Sequence, residues 1–261
     1  KVQRYLDEME QADQSPNDPP VDKEDLKHKI DQLRERKGRY EELLNELNES
    51  GQKQVSLTDP DSRAMALTPR GEVSDNVQTA VDQKHHLIVD QEVTNEVLDN
   101  HQLFTMAHKT RQMLGQNELQ VVADMGYYNH QELKKCEEAG ITTYVCKPLV
   151  SKNTARGLFG KEKFVYEADT DCYRCPAKER LDFRFETEQR DQRFRYYWTT
   201  ACPGCALKSQ CTSDPRFHRI QRWEHEAVLE RTEQRVKANP RVLKLRQQLV
   251  EHPFGTIKFW N

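Results

Sequence analysis

The chain has 261 residues, 35% of them hydrophobic and 32% charged, with a formal net charge of −3. It can bury an economical core in one large domain or two modest ones. With no apolar run near the roughly 18–20 residues that cross a bilayer and no signal-peptide pattern, it reads as a soluble protein without a membrane span.

Charge is distributed unevenly. Lys1 to Asp25 carry eight acids against three bases, whereas Pro215 to Asn261 carry ten Lys/Arg against five Glu. The basic end suits a phosphate-bearing partner. Residues 1–50 read as an acidic linker followed by an amphipathic helical arm. From Val21 to Ser50, Leu26, Ile30, Leu33, Tyr40, Leu44 and Leu47 fall on heptad positions among charged residues. Such a stripe fits an arm packed on its own chain as well as a coiled-coil dimer.

Residues 51–168 change to β-branched, period-two runs. Asn76–Asp82, His85–Thr94, Leu119–Asp124 and Thr142–Pro148 read as strands, with helices over Asn100–Gly115 and Asn129–Gly140. A two-residue link makes the first two strands a hairpin, and the later strand–helix–strand order makes the rest parallel. The expected fold class is therefore α/β with a mixed sheet flanked by helices. A Cys-rich insert over residues 169–219 and a basic helical region over 220–261 complete the chain. Pro253 and Gly255 are expected to interrupt the last helix.

Asp124 closes the apolar run LQVVAD beside a Gly, where open α/β sheets place ligands; a turn Asp is the plainer reading. Glu251 and Lys258 lie almost two helical turns apart. An acid that holds a metal and a cation that holds a phosphate belong together in phosphodiester chemistry, although a solvated pair has the same spacing.

The seven cysteines, with no secretory signal, point to a reducing compartment. Cys172-x-x-Cys175 and Cys202-x-x-Cys205 form two knuckles, with Cys211 beyond the second. Knuckle spacing alone favours Cys172, Cys175, Cys202 and Cys205 around a structural Zn²⁺, with an iron–sulfur cluster as the alternative. Cys136 and Cys146 read as buried core residues. The run RFRYYWTT (Arg193–Thr200) suits either DNA stacking or a strand pair of the insert. His85 and His86 are placed at the start of a strand, and His252 beside Glu251 is undecided.

SLTDPDSRAM, NVQTAVDQKHHLIVDQEVTN, VVADMGYYN, EEAGITTYVCKP, DCYRCPA and LVEHPFGTIKFW occur in this order. Over Asp22–Asn261 the chain resembles bacterial insertion-sequence transposases of the DDE type, in the group with a coiled-coil insert and a Cys-containing insert. The resemblance implies an RNase-H-like core with a small zinc-ribbon-like insert. It also implies two Mg²⁺ (or Mn²⁺) ions held by two Asp and one Glu. Asp124 matches the second Asp, Glu251 the Glu, and Lys258 a lysine that contacts transposon-end DNA. It points to Cys175, Cys202, Cys205 and Cys211 as zinc ligands, with Cys172 as the alternative. Double-stranded DNA, both transposon ends and target, is the implied partner, bound by a homodimer at the nucleoid.

Two departures stand out. The Asp-Gly-Ser/Thr strand that carries the first Asp is missing, so the sequence reads as a C-terminal piece, inactive alone, with Asp59 and Asp61 as the nearest but turn-like substitutes. The Tyr and Arg expected seven and four residues before the Glu are Lys244 and Gln247, and Arg246, one place off, is the remaining candidate for the DNA contact. The rival expectation is a zinc-stabilised, non-catalytic DNA- or protein-binding remnant of such an enzyme.

Overall fold

The computed structural model describes residues 4, 7, 10, 23–51, 54–57, 59, 61–65, 72–148 and 152–260. The chain divides into two units, Lys1–Asn76 with Thr94–Val97, and Val77–Val93 with Leu98–Asn261.

The first unit holds helix α1 (Lys23–Ser50) and a small antiparallel pair, β1 (Arg63–Met65) with β2 (Glu72–Ser74). The heptad stripe of α1 is split in its environment. Leu26 and Ile30 are buried, whereas Tyr40 and Leu44 are exposed. Leu33 and Leu47 are half-buried, so burial along the stripe is uneven.

The second unit begins with β3 (Asn76–Val81) and β4 (Ile88–Thr94), paired as a two-stranded sheet. Their connection corrects the expected two-residue link. His85 and His86 belong to the turn, not to a strand, because the Asp82 side chain accepts the His85 N–H at 2.6 Å and His86 takes a φ of 58°. Left-handed backbone of this kind ends a strand.

Helix α2 (Leu103–Leu114) ends at Gly115, whose φ of 60° lets its N–H return to the carbonyls of Arg111 and Gln112. Strand β5 (Leu119–Ala123) then pairs in parallel with β6 (Ile141–Val145), in register from Leu119↔Ile141 to Ala123↔Val145. Helix α3 (His130–Glu138) makes the crossover, capped by Asn129, which accepts from the N–H groups of Gln131 and Glu132. The expected mixed sheet is therefore divided. Among the described residues, the antiparallel β3–β4 pair and the parallel β5–β6 pair are separate sheets.

The insert is a five-stranded antiparallel sheet. Its strands β7 (Val165–Glu167), β8 (Cys172–Arg174), β9 (Arg180–Gln189), β10 (Gln192–Trp198) and β11 (Ile220–Trp223) lie in the spatial order β11-β10-β9-β8-β7. Phe164, Tyr173, Leu181, Tyr197 and Ile220 form its core. Asp171, with a φ of 45°, accepts hydrogen bonds from the Tyr166 and Tyr197 hydroxyls and pairs with Arg195.

Strand β11 leads back to the α/β core. Trp223 at its end packs with Leu103 and Ala107 of α2, Leu133 and Cys136 of α3, Ile141 and Val145 of β6, and Val228 and Leu229 of helix α4 (Glu226–Ala238). Cys136 is fully buried, as its pattern implied, and burial pushes its thiol up to about 12. Cys146, just past β6, is only half-buried. The last helix, α5 (Pro240–Trp260), runs through Pro253 and Gly255 without interruption. This corrects the expected break: Pro removes one helical N–H donor, and the helix continues past it. No described helix is long and apolar enough to cross a membrane.

Candidate active site and cysteine cluster

Asp124 follows the last residue of β5 and caps the short 3₁₀ turn Met125–Tyr127. Its Oδ1 accepts the Met125 N–H at 2.7 Å, and its side chain remains 62% exposed. The carboxylate is therefore held in place at one oxygen yet open to solvent. Helix α5 packs against β5 and brings the Arg246 guanidinium within 3.8 Å of Oδ1. Arg246 is thus placed at the end of β5 as a partner of Asp124.

A second polar group lies beside it. The Tyr127 hydroxyl donates to Gln78 Oε1, and the Gln78 amide donates to Asp99 Oδ1 at 2.8 Å. Burial first, then the charges of Asp99 and Asp124 against that of Arg246, push the Tyr127 hydroxyl up to about 12. It stays a proton donor at neutral pH. Tyr127 lies within VVADMGYYN and Gln78 within NVQTAVDQKHHLIVDQEVTN, though neither stands out there as a site residue, and Asp99 lies in none of these segments. Only the fold brings residues from β3, the segment before α2 and the end of β5 together.

Glu251 lies on α5, five residues after Arg246. In a helix that interval is about 7.5 Å along the axis and about 140° around it. On α5, Leu249 is buried and Arg246 half-buried, while Lys244 and Gln247, two turns and one turn before Glu251, are exposed. The side chains of Glu251, His252 and Lys258 lie outside the described residues. Asp59 and Asp61 occupy a turn of the first unit. Asp59 accepts from the Asp61 N–H at 3.1 Å and from the Ser62 hydroxyl at 2.8 Å, as an Asx-type turn residue does.

The cysteines separate by environment. Cys175, Cys202, Cys205 and Cys211 line one small cavity, together with His218. Burial, then the neighbouring thiols of Cys202, Cys175 and Cys205, push the Cys211 thiol up to about 11. The His218 Nδ1 lies 2.9 Å from the Cys211 carbonyl and 3.3 Å from its sulfur. Cys172 is buried on β8, with its sulfur 3.1 Å from Thr170 Oγ1 and 3.3 Å from Glu167 Oε2. It is absent from the lining of that cavity. Among the described residues, no group of three or more His, Cys, Asp or Glu is arranged to hold a metal ion. The four thiols share a cavity without being drawn into a metal's coordination geometry.

Residues 174–259 match the model of a family described as a transposase DDE domain. The match takes in the four cavity cysteines, Glu251 and Lys258, and leaves out Cys172 and Asp124. It supports a transposase-related function for the C-terminal region. No curated protein and no solved structure matches the chain.

Proposed function

We propose that this chain is part of a bacterial insertion-sequence DDE transposase, with an RNase-H-like core that cuts and joins DNA strands by Mg²⁺-dependent phosphoryl transfer. The family match over residues 174–259 carries the reading. It is supported by a solvent-open Asp at the carboxyl end of a parallel strand, with the helix that bears Glu251 packed on that strand.

Asp124 and Glu251 are the proposed metal ligands, joined by a first Asp from a strand preceding these residues. Asp124 fits the task because the Met125 N–H and the Arg246 guanidinium both meet it at Oδ1, while the carboxylate is 62% exposed and so open to a cation. Mg²⁺ or Mn²⁺ bound there would stabilise charge on the attacking and leaving oxygens of the phosphodiester. Lys258 and Arg246 are assigned to the DNA backbone, where cations fix position without reading sequence. Cys175, Cys202, Cys205 and Cys211 are the proposed Zn²⁺ ligands, supported by their shared cavity and by thiolate preference for that ion. A homodimer on double-stranded DNA at the nucleoid completes the reading, with the exposed Tyr40 and Leu44 of α1 as the face available for pairing.

The test is Fe²⁺-directed hydroxyl-radical cleavage, with Fe²⁺ in place of Mg²⁺. A shared site cuts the polypeptide near both Asp124 and Glu251, and either Asp124→Asn or Glu251→Gln abolishes both sets of cuts. Cleavage at neither position, or at one position regardless of the other residue, overturns the shared metal site and leaves a binding module.

A further inference from the structure

We infer that the outer face of β9 and β10, with the loop leading into β11, is a binding surface for unpaired DNA. Phe185 and Tyr196 face each other in the β9–β10 register, with ring centroids 4.7 Å apart and 14° between planes. Trp198 meets Phe185 edge-on at 5.8 Å and is itself stacked by Phe217 at 4.9 Å and 14°. The Arg219 guanidinium lies 5.5 to 5.9 Å from all four ring centroids. Arg184 lies over Trp198 at 5.7 Å and Arg216 over Phe217 at 5.3 Å.

None of these four rings belongs to either buried core of the second unit. Phe185 is 37% exposed, the other three are half-buried, and all three arginines are exposed. A small sheet that already has an aromatic core on its other side gains little stability from a second aromatic layer open to water. The rings are held ready by one another and by Arg219, so an incoming base would meet a surface already ordered.

Charge selects the occupant. Among the described residues Arg219 has no ion pair, and the Arg184 Nε bond to the Trp198 carbonyl leaves most of its donors unused. Two carboxylates lie near this group: Asp214, 3.9 Å from Arg216, and Asp182, the cross-strand partner of Trp198, which is itself paired with Arg180 at 2.7 Å. Aromatic faces with guanidinium groups between them match bases alternating with phosphates. Paired bases inside a duplex present only their edges, so rings on a sheet face can stack only on unpaired ones. The inference takes DNA as the partner from the proposed function, but it requires nothing of the metal site.

The experiment is fluorescence titration of the full chain in EDTA, with a twelve-nucleotide oligo-dT and with a blunt duplex of the same length. We expect oligo-dT to bind more tightly than duplex and to quench tryptophan emission. Arg219→Ala and Phe217→Ala should each weaken oligo-dT binding roughly 5- to 160-fold, the span expected for losing one base-stacking contact. Arg219→Lys should retain more affinity than Arg219→Ala. Unchanged thermal unfolding of Arg219→Ala guards against a folding artefact. Oligo-dT binding indifferent to both alanine variants, or a preference for duplex, overturns this surface while leaving the transposase reading standing. Binding to neither DNA overturns both. A change of oligomeric state in Arg219→Ala, without a change in DNA affinity, would make the face a protein interface instead.

Discussion

Helix α2 begins without a cap of its own, since the Gln102 side chain makes no capping bond. The Phe104 N–H in its first turn donates instead to Glu132 Oε2 at 3.0 Å, reaching across to α3. Glu132 is only 3% exposed, and its other oxygen accepts from Lys135 at 2.8 Å. Glu132→Ala removes a charge-assisted hydrogen bond, worth about 1.5–3 kcal/mol, and leaves a partly buried N–H unpaired. It also removes an anion from the positive end of a helix, worth about 0.3–1 kcal/mol, which overlaps with the first effect. Lys135 is half-exposed, so its ion pair adds little. The loss should total about 2–3 kcal/mol, which for a domain of 150–250 residues lowers the midpoint by roughly 4–12 °C. Calorimetric unfolding of the wild type, Glu132→Ala and Glu132→Gln measures it. The Gln variant keeps a neutral acceptor for Phe104 and should fall between the other two. A Glu132→Ala midpoint within about 1 °C of the wild type would refute the cross-helix cap.

Two further predictions concern the cysteines and pH. Purified protein should carry one Zn²⁺ per chain by elemental analysis; Cys202→Ser and Cys205→Ser should lose it, whereas Cys172→Ser should retain it. Zinc lost on replacing Cys172 but kept on replacing Cys211 would return the site to simple knuckle spacing. His130 opens α3 and stacks on Trp223 at 5.7 Å; burial, helped by Lys147 and Lys161 against Glu226, holds its imidazole below the usual histidine range. The unfolded chain therefore takes up this proton first, and the associated stability, fully present above about pH 6.5, is lost as pH falls toward the folded-state value. Urea midpoints at pH 7.5 and 5.5 should fall further for the wild type than for His130→Phe. Equal falls would remove His130 from the account.

Local pattern located the elements that one-sided burial governs. The period-two runs end within a few residues of β3, β5 and β6, and the Gly115 and Gly140 stops close α2 and α3 as their positive φ values require. Pattern failed where a single backbone angle decides. His85 and His86 adjoin an apolar run and resemble its start, yet the turn needs a residue at φ 58°. Pattern is also blind to assembly from distant segments. Gln78 and Tyr127 are 49 residues apart in sequence and share a hydrogen bond only because β3 and the end of β5 converge. Cys172 shows the same limit. Its spacing makes a good knuckle with Cys175, but on β8 it is sealed among Glu167 and Thr170, while the next cysteine faces the cavity.

The position of Arg246 joins the two halves of the catalytic proposal. Sequence offered it as a DNA contact, and the structure gives it Asp124 at 3.8 Å. These roles conflict only if the ion pair is strong. Asp124 is largely exposed, and an open pair of this kind contributes about 0–1 kcal/mol. A divalent cation held by the same carboxylate would repel the guanidinium and, through its own charge, would offset that small loss. An arginine so released would remain on the helix that packs against β5, within reach of a phosphate approaching Asp124. Arg246→Ala should then strengthen Mn²⁺ binding and weaken duplex DNA binding, with the salt slope reduced by about one. Loss of metal affinity in that variant would instead make Arg246 a group that holds Asp124 in its binding conformation.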